Sequence, residues 1–387
     1  MGSRFAATVI GAGPSGIAAV SNLLAQRVSR ILWVDPFFSS GRLNKSYREV
    51  PSNTKVSLFL DFAQAVKPFR DVIDTIPSPN PVTYLQQLDQ NQHCPIANAA
   101  DMCRTLTDGL IKRNDVTTVV GNVNAANWAD NAWQLGLDGS THNNNYSSHL
   151  LVLCTGSHPK SIKVPPPTSI KDIHLDIALT PTKLQTAISA SEPATVAVIG
   201  SSHSAVLALL NLYTLATTSH PKLRIKWFSR NPLLYAVPKG DWILYDNTGL
   251  KGLAATWARD HLEDDTIQSS NAARYIDKVN LPKGESFTTS PALAQCTHIV
   301  QAIGYAPNAL PSLTLNRAPL ATPLAHNPRS GAFSDNHGRT VPGLYGAGIA
   351  WPETVTDPEG NVESAVGLYK FMKFLRRVVP EWTKTLN

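Results

Sequence analysis

Two short, continuously apolar runs, at residues 5–10 and 195–199, each enter a glycine- or serine-rich turn and then an apolar stretch of helical length. These stretches extend to residue 24 in the first case and residue 212 in the second. A strand inside a parallel sheet is buried on both faces and its following helix must lie close upon it, so each run predicts the opening βαβ unit of a doubly wound sheet. Between the units, residues 115–135 alternate branched and polar side chains around Gly121 and Asn122, which predicts antiparallel strands. Residues 138–148 form a polar loop, and residues 149–154 a buried strand ending on Thr155-Gly156. The proline-bearing segment 159–167 has the composition of a linker. A matching strand at 298–303 ends on Gly304-Tyr305 and runs into Ala306-Pro307-Asn308, where the chain is expected to cross back. Residues 362–377 carry Ala365, Leu368, Phe371, Met372 and Leu375 at helical spacing, a final helix expected to stop before Pro380.

Composition narrows the class. At 387 residues with 43% apolar content the chain suits two domains with sizeable cores. Its formal charge of +6 arises from 34 basic and 28 acidic residues without a run of five like charges, so a nucleic-acid partner is not expected. No apolar run reaches the roughly 18 residues of a membrane span. The apolar N-terminal stretch contains Gly11, Gly13 and Pro14 and reads as strand and turn rather than signal peptide, so the expected location is the cytoplasm. Cys94, Cys103, Cys154 and Cys296 show neither CxxC spacing nor histidines at metal-ligand intervals, which predicts reduced structural thiols and no metal site.

The chemistry lies in the two turns. In Gly11-Ala12-Gly13-Pro14-Ser15-Gly16, Gly11 permits a tight turn, Gly13 admits a pyrophosphate to the backbone, and Gly16 lets the helix approach the sheet. Asp35 ends a second strand at 31–34, 19 residues after Gly16, where a carboxylate suits the hydroxyls of an unphosphorylated ribose. The second turn, Gly200-Ser201-Ser202-His203-Ser204-Ala205, keeps one glycine. The strand after it, 223–228, ends on Ser229-Arg230 instead of an acid. A carboxylate there would repel a 2'-phosphate, whereas a hydroxyl and a guanidinium would bind one, which points to NADPH. His203 invites a catalytic role, but its place in the turn favours a cofactor contact or solvent exposure, and a second domain that binds nothing also stays open.

Together these motifs resemble the two-dinucleotide-domain flavoproteins, a group that includes thioredoxin reductase and the flavin-containing and N-hydroxylating monooxygenases. The match runs from GAGPSG at 11 through LVLCTG ending at Gly156, GSSHSA at 200, QAIGY ending at Tyr305 and Gly343-Leu344-Tyr345-Gly346-Ala347-Gly348. The resemblance implies an α/β fold of two Rossmann-like, three-layer ββα nucleotide-binding domains, the second inserted in the first. The FAD domain would comprise 1–161 and 307–387, and the NADPH domain 162–306. It implies an FAD site of Gly11, Gly13, Pro14, Ser15, Gly16, Asp35, Pro36, Arg42, Leu43, Val123, Thr155, Gly156, Gly304, Gly346, Gly348 and Ile349, with a helix start near Glu363, Ser364 and Ala365 beside the flavin. The NADPH site would comprise Gly200, Ser201, Ser202, His203, Ser204, Ser229 and Arg230.

Disulfide reductases of this group need a cysteine pair that can form a bond across a short loop at the flavin face, and the chain lacks such a pair. The segment Tyr47-Arg48-Glu49-Val50-Pro51-Ser52-Asn53-Thr54-Lys55, followed by Phe59-Leu60-Asp61-Phe62, looks like the part of flavin-containing monooxygenases where an asparagine sits over the flavin. On that likeness Asn53 is the candidate catalytic residue, helping to hold a C4a-peroxyflavin away from water; the other reading makes it a turn residue before a strand. The FxGxxxH signature of that branch is absent, and Ile349 stands where many relatives place Asp. The expectation is an FAD-dependent, NADPH-consuming monooxygenase acting with molecular oxygen on a small or medium organic substrate. A flavin reductase without oxygen insertion and a flavoprotein with non-redox use of FAD remain alternatives. The aromatic segment 235–248 has two readings, substrate lid or packing between domains.

Overall fold

The computed structural model describes residues 3–138, 146–165, 169–320 and 323–386. Its first sheet is built on four parallel neighbours in the order Val116–Val120, Ile31–Asp35, Arg4–Ile10 and Tyr146–Leu153, with Thr340–Gly346 joining the last of them in parallel. Side chains alternate across a strand, and here both faces are apolar. Ala7, Val9, Trp33 and Val152 pack against the helices Pro14–Ala25, Ile96–Ile111 and Leu368–Thr383. Phe5, Leu32, Val34 and Leu151 pack on the other face against Val123, Ala126, Trp133 and Leu135 of the hairpin Val123–Ala129/Ala132–Leu137. The result is three layers of hairpin, sheet and helices.

The second sheet has five parallel strands in the order Lys171–Asp172, His298–Gln301, Ala194–Ile199, Leu223–Ser229 and Ile276–Asn280. Helix His203–Thr218 buries Ala205, Val206, Ala208, Leu209 and Leu212 on one face. Phe228, Leu281, Phe287 and Ile299 fill the other. The chain is therefore α/β with two parallel sheet cores. It passes between them on a two-stranded ribbon in which Ser157–Pro159 runs antiparallel to Tyr305–Pro307. Asn308 fastens the ribbon by donating from its backbone N to the Gly156 carbonyl at 3.0 Å and from Nδ2 to the Thr155 carbonyl at 2.8 Å.

Three sequence expectations are corrected. Residues 115–135 do not form antiparallel strands throughout: Val116–Val120 joins the sheet parallel to Ile31–Asp35, and the antiparallel hairpin begins only at Val123. Burial of Val116 against the helix layer selects that pairing. The loop expected over 138–148 ends at Tyr146, where a strand begins; 139–145 lie outside the described residues, as do Pro166 and Pro167 of the linker. The final helix does not start near Glu363, Ser364 and Ala365. Val362–Ala365 is a strand paired with Glu353–Thr356, with burial alternating at period two. The helix runs Leu368–Thr383 and includes Pro380. Its last turn survives the missing N–H because Trp382 is anchored, stacking on Tyr345 at 4.5 Å and donating from Nε1 to the Ser330 carbonyl at 2.7 Å.

Polar clamps tie the two sheets' elements together. Arg42 donates to both carboxylate oxygens of Asp176 at 2.5 and 2.6 Å, and Glu49 accepts from the backbone N of Thr182 at 3.0 Å. On the far side, buried Glu363 accepts from Asn247 N and Nδ2 and from Thr248 N and Oγ1. Lys370 reaches Asp246 Oδ2 at 2.5 Å and Asn247 Oδ1 at 2.6 Å. Segment 235–248 thus contains a small hairpin, Val237–Lys239 with Trp242–Leu244, followed by the piece that Glu363 and Lys370 hold.

Candidate cofactor and active site

The first turn is fixed from three sides. Gly11 has φ +103°, and a methyl there would stand 2.3 Å from the Cys154 carbonyl oxygen; one on Gly16 would stand 1.9 Å from the Gly11 carbonyl oxygen. Both glycines are therefore demanded by packing. Gly13 is different. Its φ of −77° suits any residue, and an added methyl would meet nothing within 4 Å. Bareness at that position leaves an approach to the backbone at the start of helix Pro14–Ala25, where amide dipoles favour an anion. Gly41 lies against it, its added methyl 3.1 Å from Gly13 Cα. Gly348 touches Ser15, while Gly346 is enclosed by Trp351 and Phe333.

Asp35 docks this turn onto the second strand. Its Oδ2 accepts from Ala12 N at 2.7 Å, and its Oδ1 accepts from Phe37 N and Phe38 N at 2.8 and 2.7 Å. Trp33 Nε1 donates to the Gly11 carbonyl at 2.9 Å. Around the loop, the hydroxyls of Ser40 and Thr155 are buried without a hydrogen-bond partner. Orphaned donors of this kind are uncommon in native interiors and suit a polar ligand. A bare Gly13, an available helix N-terminus and two unanswered hydroxyls fit a dinucleotide pyrophosphate. Pro36 is half-buried beside Asp35, Leu43 packs on the main core, and Val123, at the start of the hairpin, is buried between it and the sheet. Arg42 directs its guanidinium to Asp176 and Tyr47. Burial and the adjoining Tyr305 hydroxyl push the Tyr47 phenol upward.

The second turn repeats the construction. A methyl on Gly200, φ +127°, would stand 2.5 Å from the Ala302 carbonyl oxygen, and Trp227 Nε1 donates to the Gly200 carbonyl at 2.7 Å. Beside it opens a cleft of about 810 Å³ lined in part by Gly200, Ser201, Phe228, Arg230 and Asn231 from this unit and by His158 and Lys160 from the ribbon. Ser229, by contrast, is buried, with its hydroxyl donated to the Asn231 carbonyl at 3.3 Å. Ser202 is exposed at the helix N-cap, and Ser204 half-buried. His203 is neither freely exposed nor satisfied: its Nδ1 is buried without a partner, and burial, together with Lys251 and His93, pulls its pKa down to about 4.

Asn53 lies within strand Pro51–Lys55 rather than in a turn before it, with an exposed side chain whose Oδ1 accepts from Thr54 Oγ1 at 3.4 Å. Ile349 and Ser364 are exposed and Ala365 is buried; Gly304 is exposed at the return crossing. All four cysteines are free and buried, and burial raises the Cys154 thiol to about 12, so no described thiol is poised for exchange. The described residues include no cluster of metal ligands and no helix long and apolar enough to cross a membrane.

Ser40, Gly41 and Lys160 went unnoticed in the sequence because loop residues acquire their place only when distant segments meet. One missed feature was legible. Trp33-Val34-Asp35 and Trp227-Phe228-Ser229 put a tryptophan two residues before the end of the strand in both units.

Two parallel sheets joined by a ribbon, each with a glycine turn opening a helix, define the architecture of the two-dinucleotide-binding-domain flavin oxidoreductases. The chain is 50% identical over 386 residues to monooxygenase AgnR1 of Paecilomyces divaricatus, covering 98% of both, and it belongs to that monooxygenase family. No family model matches it. Among solved structures it resembles the ornithine N-hydroxylase of Kutzneria sp. 744, with a TM-score of 0.65 at 13% identity over all of both chains. The flavin-containing monooxygenase of Stenotrophomonas maltophilia gives 0.62 at 14%, also over all of both chains. Thioredoxin reductase of Lactococcus lactis gives 0.54 at 12% over 98% of each. These likenesses establish the fold.

Proposed function

We propose that the chain is an NADPH-consuming, FAD-dependent monooxygenase of a small or medium organic substrate, with 1–161 and 307–387 as the FAD unit and 162–306 as the NADPH unit. The observation that carries it is the bare Gly13 at a helix N-terminus beside the docked Asp35, in a member of a monooxygenase family. The Kutzneria hydroxylase, named in complex with reduced FAD, NADP+ and L-ornithine, supports the cofactor pair.

Residues of the first turn, with Ser15, Ser40, Thr155 and Gly348 around it, would hold the FAD pyrophosphate and ribityl chain, and Asp35 the adenosine ribose. Arg230 and Lys160 would hold the 2'-phosphate of NADPH in the cleft. Bound FAD supplies hydride acceptance from NADPH and activation of molecular oxygen. Asn53 would orient the reacting groups with its amide, and the clamps at Asp176 and Glu363 would hold the two units in register around the substrate and limit entry of water.

The test is to add NADPH in air to the yellow protein and follow the flavin spectrum and product together. Bleaching, reoxidation and one oxygen atom from O2 in the product are expected. A colourless protein, or one that NADPH does not bleach, removes the proposal. Fast reoxidation with hydrogen peroxide as the sole product in the presence of substrate favours the reductase alternative.

A further inference from the structure

Four basic side chains from the two units converge at the seam. Lys55 and His93 are cross-strand partners on the ribbon Pro51–Lys55/His93–Pro95. Facing them are His203, first residue of helix His203–Thr218, and Lys251, just before helix Gly252–His261. The approach is close: a methyl on Gly252 would sit 3.4 Å from the Ser52 carbonyl oxygen and 3.6 Å from the His93 ring.

Burial first, and then the neighbouring charges, hold both imidazoles below the usual histidine range and so neutral at neutral pH: His93 lies near Lys55 and Lys251, and His203 near Lys251 and His93. Asp246 is already shared between Lys251 and Lys370, and Glu363 is taken up by Asn247 and Thr248. The Lys55 ammonium makes no ion pair or hydrogen bond among the described residues, and His203 Nδ1 is buried without one. A lysine without an ion pair at a partly buried seam, with a second lysine beside it, draws an anion, and the neutral imidazole of His203 can donate to that anion in the tautomer that carries its proton on the unpartnered Nδ1.

We propose that Lys55, His93, His203 and Lys251 bind an anionic oxygen of the substrate, a carboxylate or an acidic phenol, so that the enzyme acts on organic anions. The inference rests on the monooxygenase reading above. Lys55 stands two residues from Asn53 on the same face of one strand, and both are exposed, which places the anchored anion beside the residue assigned to the reacting centre. None of the four lines the cleft assigned to the dinucleotide.

Calorimetric titration of the flavin-bearing protein with benzoate and with benzamide tests this, before and after saturation with NADP+. Benzoate is expected to bind about tenfold more tightly than the uncharged amide, with the preference lost in Lys55→Gln and kept in Lys55→Arg. It should survive saturation with NADP+. Equal binding of the two probes, no binding of benzoate, or an unaltered preference in Lys55→Gln overturns the assignment. Displacement of benzoate by NADP+ does so too, because the cluster would then hold a cofactor phosphate. The calorimetric signal does not depend on turnover, so flavin content and bleaching by NADPH in the same samples separate a failure of this inference from a failure of the monooxygenase reading.

Discussion

The two nucleotide turns of this molecule are built alike and finished differently. In each, a glycine at positive φ lies under a carbonyl of a neighbouring segment, Cys154 for Gly11 and Ala302 for Gly200, and a buried tryptophan of the next strand donates to the glycine's own carbonyl. Each glycine N also donates to that next strand, at 2.8 Å to Val34 and 3.0 Å to Phe228. Besides Ser202 in the place of Gly13, they diverge at two further positions that matter here. Where the first helix has Gly16, with no room for a methyl, the second has Ala205, fully buried with its methyl 3.4 Å from the Cβ position of Gly200. Where the first strand ends in Asp35, bonded to three backbone amides, the second ends in Ser229, turned to its own loop and followed by Arg230. The shared parts serve the fold, and under the proposed function the differences would set which dinucleotide fits: a carboxylate for an unphosphorylated ribose, a cation for a phosphorylated one.

Four experiments sharpen or break that contrast. Gly16→Ala should be the most damaging, since the methyl meets backbone rather than a movable side chain: about 3 kcal/mol of stability and most of the bound flavin are expected to go. Ala205→Gly, its counterpart, should cost only about 1 kcal/mol and leave flavin content intact. Comparable losses in thermal melts and flavin-to-protein ratios would show that the two turns are equally constrained. Asp35→Ser gives the first turn the residue of the second, and roughly ten- to a hundredfold weaker FAD binding is expected from the charged hydrogen bonds lost. Arg230→Ala should raise the KM for NADPH by about tenfold and leave that for NADH unchanged; equal effects on both would remove the cofactor preference from this residue.

The smallest effect concerns His203. Its folded pKa of about 4 lies below the ordinary 6.5, so the unfolded chain binds more protons between those values. Stability from this group is complete above pH 6.5 and declines as pH falls toward 4. His203→Gln should therefore lessen the drop in Tm between pH 7 and pH 5 by about 2 °C. An unchanged drop would mean that the ring is hydrated in solution.

Much of this architecture is legible in the chain because it rests on local rules. Continuous apolar runs marked the parallel strands, and the spacing of Gly11, Gly13, Gly16 and Asp35 marked a turn whose sterics are set within a few residues. Helical spacing held from Leu368 but misled at its start, residues 362–365, where Glu363 is buried because Asn247 and Thr248 arrive from the other unit to bond it. No local pattern encodes that partner. For the same reason the bond from Arg42 to Asp176 was not foreseen, and Lys55, His93, His203 and Lys251 drew no notice as a group while they stood scattered over some two hundred residues.

By itself, then, the sequence determined the two βαβ openings, the glycine turns and the dinucleotide chemistry they suit, since short-range sterics and burial periodicity fix these. The tertiary structure decided how the units are clamped, which hydroxyls and imidazoles are left without partners, and where the basic side chains of the two units meet. Those are properties of long-range contacts, and a charge's partner and solvation exist only once the two units have closed on each other.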